Sequence, residues 1–137
     1  MADDSNLFDL EIVTPDRVFY KGKVSMVEFT DQDGDIGVYK HHIPLTTGVV
    51  PGVLTITVDG VKKEADLMAG FAEILPDQVR ILAEVAEWPD EIDEERAVAA
   101  KERAEKRISS HSSEVEMIRA ELALQRAIVR LSVKSHK

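Results

Sequence analysis

Four arginines in the last third of the chain have the spacing most suggestive of chemistry. Arg96 and Arg103 are seven apart, and Arg126 and Arg130 are four apart, so on helices each pair shares a face. A guanidinium stays charged and grips phosphate through two parallel donors, so several converging on one point would make an anion site. Ile92-Asp93-Glu94-Glu95-Arg96-Ala97 introduces the first pair. Exposed arginines paired with neighbouring glutamates would give the same spacing and no site.

The other candidates carry less. Asp31, Asp33 and Asp35 stand at positions 1, 3 and 5 of a calcium loop, but Ile36 replaces its turn glycine and His42 its bidentate glutamate. An acidic surface loop explains them. His41 and His42 are adjacent, so on a strand they point to opposite faces, and no metal site is expected. Gly34-x-x-Gly37 is too short for a phosphate loop. No nucleophile has a positioned base and no carboxylates are paired for acid–base work, so no catalytic residue is expected.

The elements that must hold these residues divide the chain in two. Residues 1–88 contain all 7 glycines and four of the 5 prolines. Alternation at Phe8, Leu10 and Ile12, at Leu54, Ile56 and Val58, and at Val79, Ile81, Ala83 and Val85 predicts half-buried strands. Thr14-Pro15-Asp16 and Pro76-Asp77 mark turns, and Asp59-Gly60 predicts a type I′ hairpin. Many short strands without intervening helices predict a β-sandwich or flattened barrel. Residues 89–137 lack glycine and are rich in helix formers. Pro89-Asp90-Glu91 reads as a helix start, with Asp90 or Asp93 as cap, and the helix should run to about Ile108. Ser109-Ser110-His111-Ser112-Ser113 breaks it, and Ser113-x-x-Glu116 reads as a capping box for a second helix. Val115, Ile118, Leu122 and Val129 form its apolar stripe, widened by Leu124, Ile128 and Leu131. Ala97, Ala100 and Ala104 would let the second helix approach the first, making an antiparallel two-helix hairpin.

Charge separates the parts too. Residues 1–88 carry 16 acids and 7 bases, and the net charge of the whole chain is −9. Phosphate-backbone binding is therefore not expected. From Met117 onward Arg119, Arg126, Arg130, Lys134 and Lys137 face Glu121 alone, so the last helix is a basic element on an acidic protein. There is no cysteine, hence no disulfide scaffold and a reducing compartment. No apolar run suits a membrane helix, and the acidic Met1-Ala2-Asp3-Asp4-Ser5 does not resemble a signal peptide.

Along essentially its whole length the chain resembles the epsilon subunits of bacterial F-type ATP synthase. The resemblance rests on Leu10-Glu11-Ile12-Val13-Thr14-Pro15, the run from Gly34 to Leu45, Pro51-Gly52, Gly70-Phe71, the segment 81–87, and Ile92-Asp93-x-x-Arg96-Ala97. Asp35 stands where Glu is commoner, and Lys40-His41 replaces Pro-Gly before His42. The resemblance implies a non-catalytic central-stalk subunit, monomeric when isolated, on the cytoplasmic face of the bacterial membrane. Its β-domain would bind the gamma subunit and the c-ring, the latter through Asp35 and His42. Its hairpin would be a brake on hydrolysis, with Arg119, Arg126, Arg130 and Lys134 meeting the alpha and beta catalytic subunits. The resemblance also implies regulatory ATP, alone or with Mg2+, and no redox cofactor. Glu87 and the Ile92-Asp93 backbone would take the adenine, while Arg103, Arg126 and Arg130 take the phosphates. Ala97 belongs to the same motif, and Arg96 would support the loop by pairing with Asp93 or Glu87. The alternative is a free-standing ligand-binding β-domain that dimerises through residues 91–132.

Overall fold

The computed structural model describes residues 6–110 and 113–135; the acidic start, His111 in the serine-rich break and Lys137 of the basic tail lie outside them. Eight strands come first: β1 (Phe8–Thr14), β2 (Arg17–Val24), β3 (Met26–Asp31), β4 (Gly34–Val38), β5 (Leu45–Val49), β6 (Gly52–Val58), β7 (Val61–Leu75) and β8 (Gln78–Glu87). A 3-10 turn (Pro89–Glu91) leads to α1 (Glu94–Ser109) and α2 (Glu114–Ser135). The result is a β-sandwich followed by a helical hairpin, as the alternating and helical patterns predict.

Strand order β2-β1-β8-β7-β5-β3-β4 is closed by β6, which bridges β3 and β7. The long β7 pairs with β6 through its first half and with β5 through its second. Between the halves, Ala69 and Gly70 take positive φ (27° and 146°). A side chain at Gly70 would collide with the Leu82 carbonyl, so only glycine fits. Ala65 and Leu67 face the core before this point, and Ala72 and Ile74 after it, so the strand changes which parity points inward. The β8 strand changes with it, and Val85 does not continue the Val79-Ile81-Ala83 face. Ala86 takes the core position and Val85 turns to the other side. Asp59 and Gly60 both have positive φ (52° and 77°), as the type I′ turn requires. The main core is made by Phe8, Leu10, Ile12, Phe29, Leu54, Ile56, Leu67 and Ile81 among others, each worth about 1.5–3 kcal/mol on burial.

The hairpin departs from the sequence reading in its buried face. Val115 and Ile118 are each 60% exposed and Leu122 and Ile128 are 40% and 48% exposed, so most of the expected stripe faces solvent. The buried residues are Ala97 and Ala104 on α1 with Ala120 and Ala127 on α2, and Val129 and Val133 on the sandwich side. Small side chains set the helix seam because interaxial distance is limited by side-chain size at the contact, not by hydrophobicity alone. The helix start also differs. Pro89–Glu91 is a separate 3-10 turn, and α1 begins only after Asp93, whose Oδ1 accepts from the Arg96 N–H at 3.1 Å. Ser113 caps α2 by accepting the Glu116 N–H at 3.4 Å.

Candidate functional site

The chain between sandwich and hairpin is fastened by side chains far apart in sequence. Trp88 stacks on Phe19 with centroids 4.3 Å apart and meets Tyr20 edge-on. Arg17 lies over Phe19 and grips Glu91 with two bonds of 2.8 Å. The Trp88 N–H donates to the same Glu91 carboxylate, and these bonds hold it below the usual Glu range, Arg17 contributing most. Ile92 is thereby driven into a second, small core with Met68, Val129 and Val133, on which Val53 and Val85 pack. This core docks α2 on the sandwich.

Beside it lies a cleft of about 370 Å³. One wall is the first turns of α1, carrying Arg96, Ala97, Ala100 and Arg103; the other holds Glu87 and Arg130, with Ile92 and Asp93 at the base. Arg130 is anchored by a 2.7 Å bond from its Nε to Glu87. Three arginines from two helices therefore border one cavity together with Glu87, Glu91 and Asp93. Glu87 is paired with Arg130 and Glu91 with Arg17, which leaves Arg96 and Arg103 as the guanidiniums open to an anion.

Not every expected residue joins it. Glu87, Ile92, Asp93, Arg96, Ala97, Arg103 and Arg130 line the cleft, but Arg126 does not. One turn before Arg130, Arg126 is 3.5 Å from Glu84, and its buried Nε has no partner among the described residues. Arg96 makes no ion pair with Asp93 or Glu87 among the described residues; its backbone, not its guanidinium, bonds Asp93. Lys134 donates to the Pro89 carbonyl and Arg119 is exposed. Asp35 and His42 are not gathered into one site. The Asp35 carboxylate accepts from Thr30 and lines a groove with Glu28 and Glu64, whereas His42 lies in the β4–β5 loop on the Ile43 carbonyl. The acidic run is a hairpin turn in which Asp31 accepts from the Asp33 N–H and from Thr47. No group of ligating side chains among the described residues could hold a metal.

The sequence reading missed Asp66. It pairs across β7 and β8 with Glu87, lies 3.8 Å from Arg130, and is fully buried. Burial above all, and then the neighbouring Glu87 carboxylate, pushes its carboxyl up to about 9. Burial also works against the Glu87 charge, but the neighbouring Asp66 carboxyl and the hydrogen bond from Arg130 outweigh it and hold Glu87 below its usual range. An acid shortly after the Asp59-Gly60 hairpin turn, where the returning strand must run, was the local signal.

Residues 7–89 match the family described as "ATP synthase, Delta/Epsilon chain, beta-sandwich domain", and residues 90–135 its "long alpha-helix domain". The chain is 50% identical over 129 residues to the ATP synthase epsilon chain of Caldanaerobacter subterraneus subsp. tengcongensis, covering 93% of this chain and 94% of the relative. The epsilon chain of Bacillus velezensis is 44% identical over 124 residues, covering 90% and 94%. A chain in the cryo-EM structure of the Euglena gracilis mitochondrial ATP synthase (OSCP, F1 and c-ring) superposes with a TM-score of 0.82 at 25% identity, covering 95% of this chain and 82% of that one.

Proposed function

The chain belongs to the ATP synthase epsilon-chain family, a non-catalytic part of the central stalk, and from that premise we propose a rotor subunit whose hairpin is an ATP-sensitive brake. Its sandwich binds the gamma subunit and rests on the c-ring, with Asp35 and His42 toward the ring. Its place is peripheral, on the cytoplasmic face of the bacterial membrane. No helix among the described residues is long and apolar enough to cross one. The free-standing, dimerising reading lapses with family membership.

The observation that carries the ATP reading is the cleft that, with the hairpin folded back, brings Arg96, Arg103 and Arg130 around the Ile92-Asp93 backbone. Glu87 and that backbone would hold the adenine, and Arg103 and Arg130 the phosphates. Docking rests on a small core, four buried side chains among the described residues with Val53 and Val85 packed on them, so a ligand that selects the docked state can govern it. At a hundredfold excess over its Kd such a ligand contributes about 2.7 kcal/mol. The expected result of calorimetric titration is MgATP binding well ahead of MgADP, since ADP offers the arginines fewer oxygens and less charge. Equal heats, or none at millimolar nucleotide, would make the arginines surface charges.

The brake itself requires release. In the docked hairpin Arg126, Arg130 and Lys134 are turned onto Glu84, Glu87 and the Pro89 carbonyl, and of the four basic candidates Arg119 alone is exposed. Freed, they would meet acidic surfaces of the catalytic subunits. Replacing Arg119, Arg126, Arg130 and Lys134 together by Ala should relieve inhibition of hydrolysis in the assembled complex. Added salt should do the same by screening. Inhibition that survives both changes assigns the brake to apolar packing.

A further inference from the structure

Asp66 lies on the sandwich face that α2 covers. Its neighbours Ala65 and Leu67 point into the main core, so Asp66 and Met68 point to the hairpin. Beneath α2 it is fully buried, and neither of its oxygens has a hydrogen-bond donor among the described residues. The Arg130 Nε, at 3.8 Å, is beyond hydrogen-bond reach and is committed to Glu87 at 2.7 Å. The remaining polar neighbour is the Glu87 carboxylate. Two carboxylates are both acceptors, and they can bond to each other only through a shared proton. The charges agree. Two acids face one guanidinium, and of the three groups Asp66 alone is fully buried, where an unpaired charge is strongly disfavoured.

The other charged groups on the facing elements do not correct the imbalance. On α2, Arg126 is directed to Glu84 and Lys134 to the Pro89 carbonyl. On β7 itself Glu64 and Lys62 alternate with Asp66 on the same face, one acid and one base that leave the balance as it is. On β6 the residue in register is the apolar Val53. On the 3-10 turn Glu91 belongs to Arg17.

We propose that the docked hairpin holds a proton on Asp66, shared with Glu87, and that release of the hairpin gives this proton to solvent. Docking is thereby linked to pH, and Asp66 is a titratable latch distinct from the nucleotide cleft. The inference rests on the reading of the hairpin as a mobile element. The sign follows from linkage. Asp66 has an ordinary value near 3.8 when exposed and about 9 when covered. Between those limits docking takes up one proton, so its equilibrium constant falls about tenfold for each unit of rising pH. Above the upper limit it levels off.

Two measurements on the full chain test this. In the first, carbon NMR of the Asp66 side-chain carboxyl in the docked protein at pH 7 should show the neutral acid, and an ionised signal there overturns the proposal. In the second, fluorophores on Lys62→Cys and Ser135→Cys report docking from pH 6 to 9. The docked fraction should fall with rising pH, and Asp66→Asn, neutral at every pH, should remove that slope. A slope unchanged in Asp66→Asn overturns the latch. Should Asp66→Asn not fold, Glu87→Gln serves instead, since one acid then balances Arg130 and the slope must shrink; an undiminished slope overturns the proposal. A neutral Asp66 under a hairpin that stays docked at every pH supports the buried proton and overturns the mobile-hairpin reading.

Discussion

The cleft arginines are not equivalent. Arg103 faces the cleft without an ion pair among the described residues, Arg130 is anchored to Glu87, and Arg126 stands outside on Glu84. A charge-assisted hydrogen bond is worth about 1.5–3 kcal/mol. Arg103→Ala should therefore weaken MgATP binding by roughly tenfold or more (about 1.4 kcal/mol per decade), with Lys a partial rescue because it lacks the fork. Arg126→Ala should cost clearly less. Calorimetry that ranks Arg126 above Arg103 would show that α2 rotates on binding. His41 is a second case. It sits at φ 67°, a left-handed conformation that costs a side chain roughly 1–2 kcal/mol. His41→Gly should raise the melting temperature by a few degrees without altering nucleotide binding, and a lower one would mean that the imidazole makes a compensating contact.

Between sandwich and hairpin, the junction acts as one element. Trp88, Arg17 and Glu91 hold Ile92 and the Asp93 cap in place, so the start of α1 is set by residues more than seventy positions apart. Glu91 is held below its ordinary value by Arg17. The stability it contributes is complete above the unfolded value of about 4.5 and disappears as pH falls through the lower folded one. Thermal melts from pH 3 to 7 should show that Arg17→Ala loses stability near neutrality and flattens the acid limb. Identical acid limbs in both proteins would reduce the pair to a surface contact. The α2 element has two working faces, alanine toward α1 and Val129 with Val133 toward the sandwich. Its large apolar residues Val115, Ile118 and Leu122 are left outside.

Seen whole, the molecule joins a large core to a small one. The sandwich core includes Phe8, Phe29, Leu54 and Ile81, while the hairpin is docked through Met68, Ile92, Val129 and Val133. Unequal cores of this kind allow one part to leave while the other stays folded. Residues 1–88 alone should thus unfold in one cooperative transition and still assemble with gamma and the c-ring. The complex carrying them should make ATP and hydrolyse it faster than the complex with the full chain. A truncated chain without a cooperative melt would show that the hairpin is part of the sandwich's own stability.

What the sequence determined by itself was everything carried by local periodicity and turn chemistry. Alternation at Phe8, Leu10 and Ile12 located a strand, Asp59-Gly60 a type I′ turn, and the glycine-free segment after Pro89 the hairpin. These depend on neighbours within a few residues, and the chain states them directly. The tertiary structure alone decided which apolar face of α2 is buried, because seam geometry favoured small alanines over the larger stripe. It also decided the fates of Val85 and Asp66, because the positive-φ pair Ala69 and Gly70 exchanges inward and outward parity in two strands at once. Asp66 acquires its chemistry only from Glu87 and Arg130, contributed by β8 and α2. A carboxyl's protonation is set by what covers it and which charges face it, and both are properties of the folded assembly rather than of the residue.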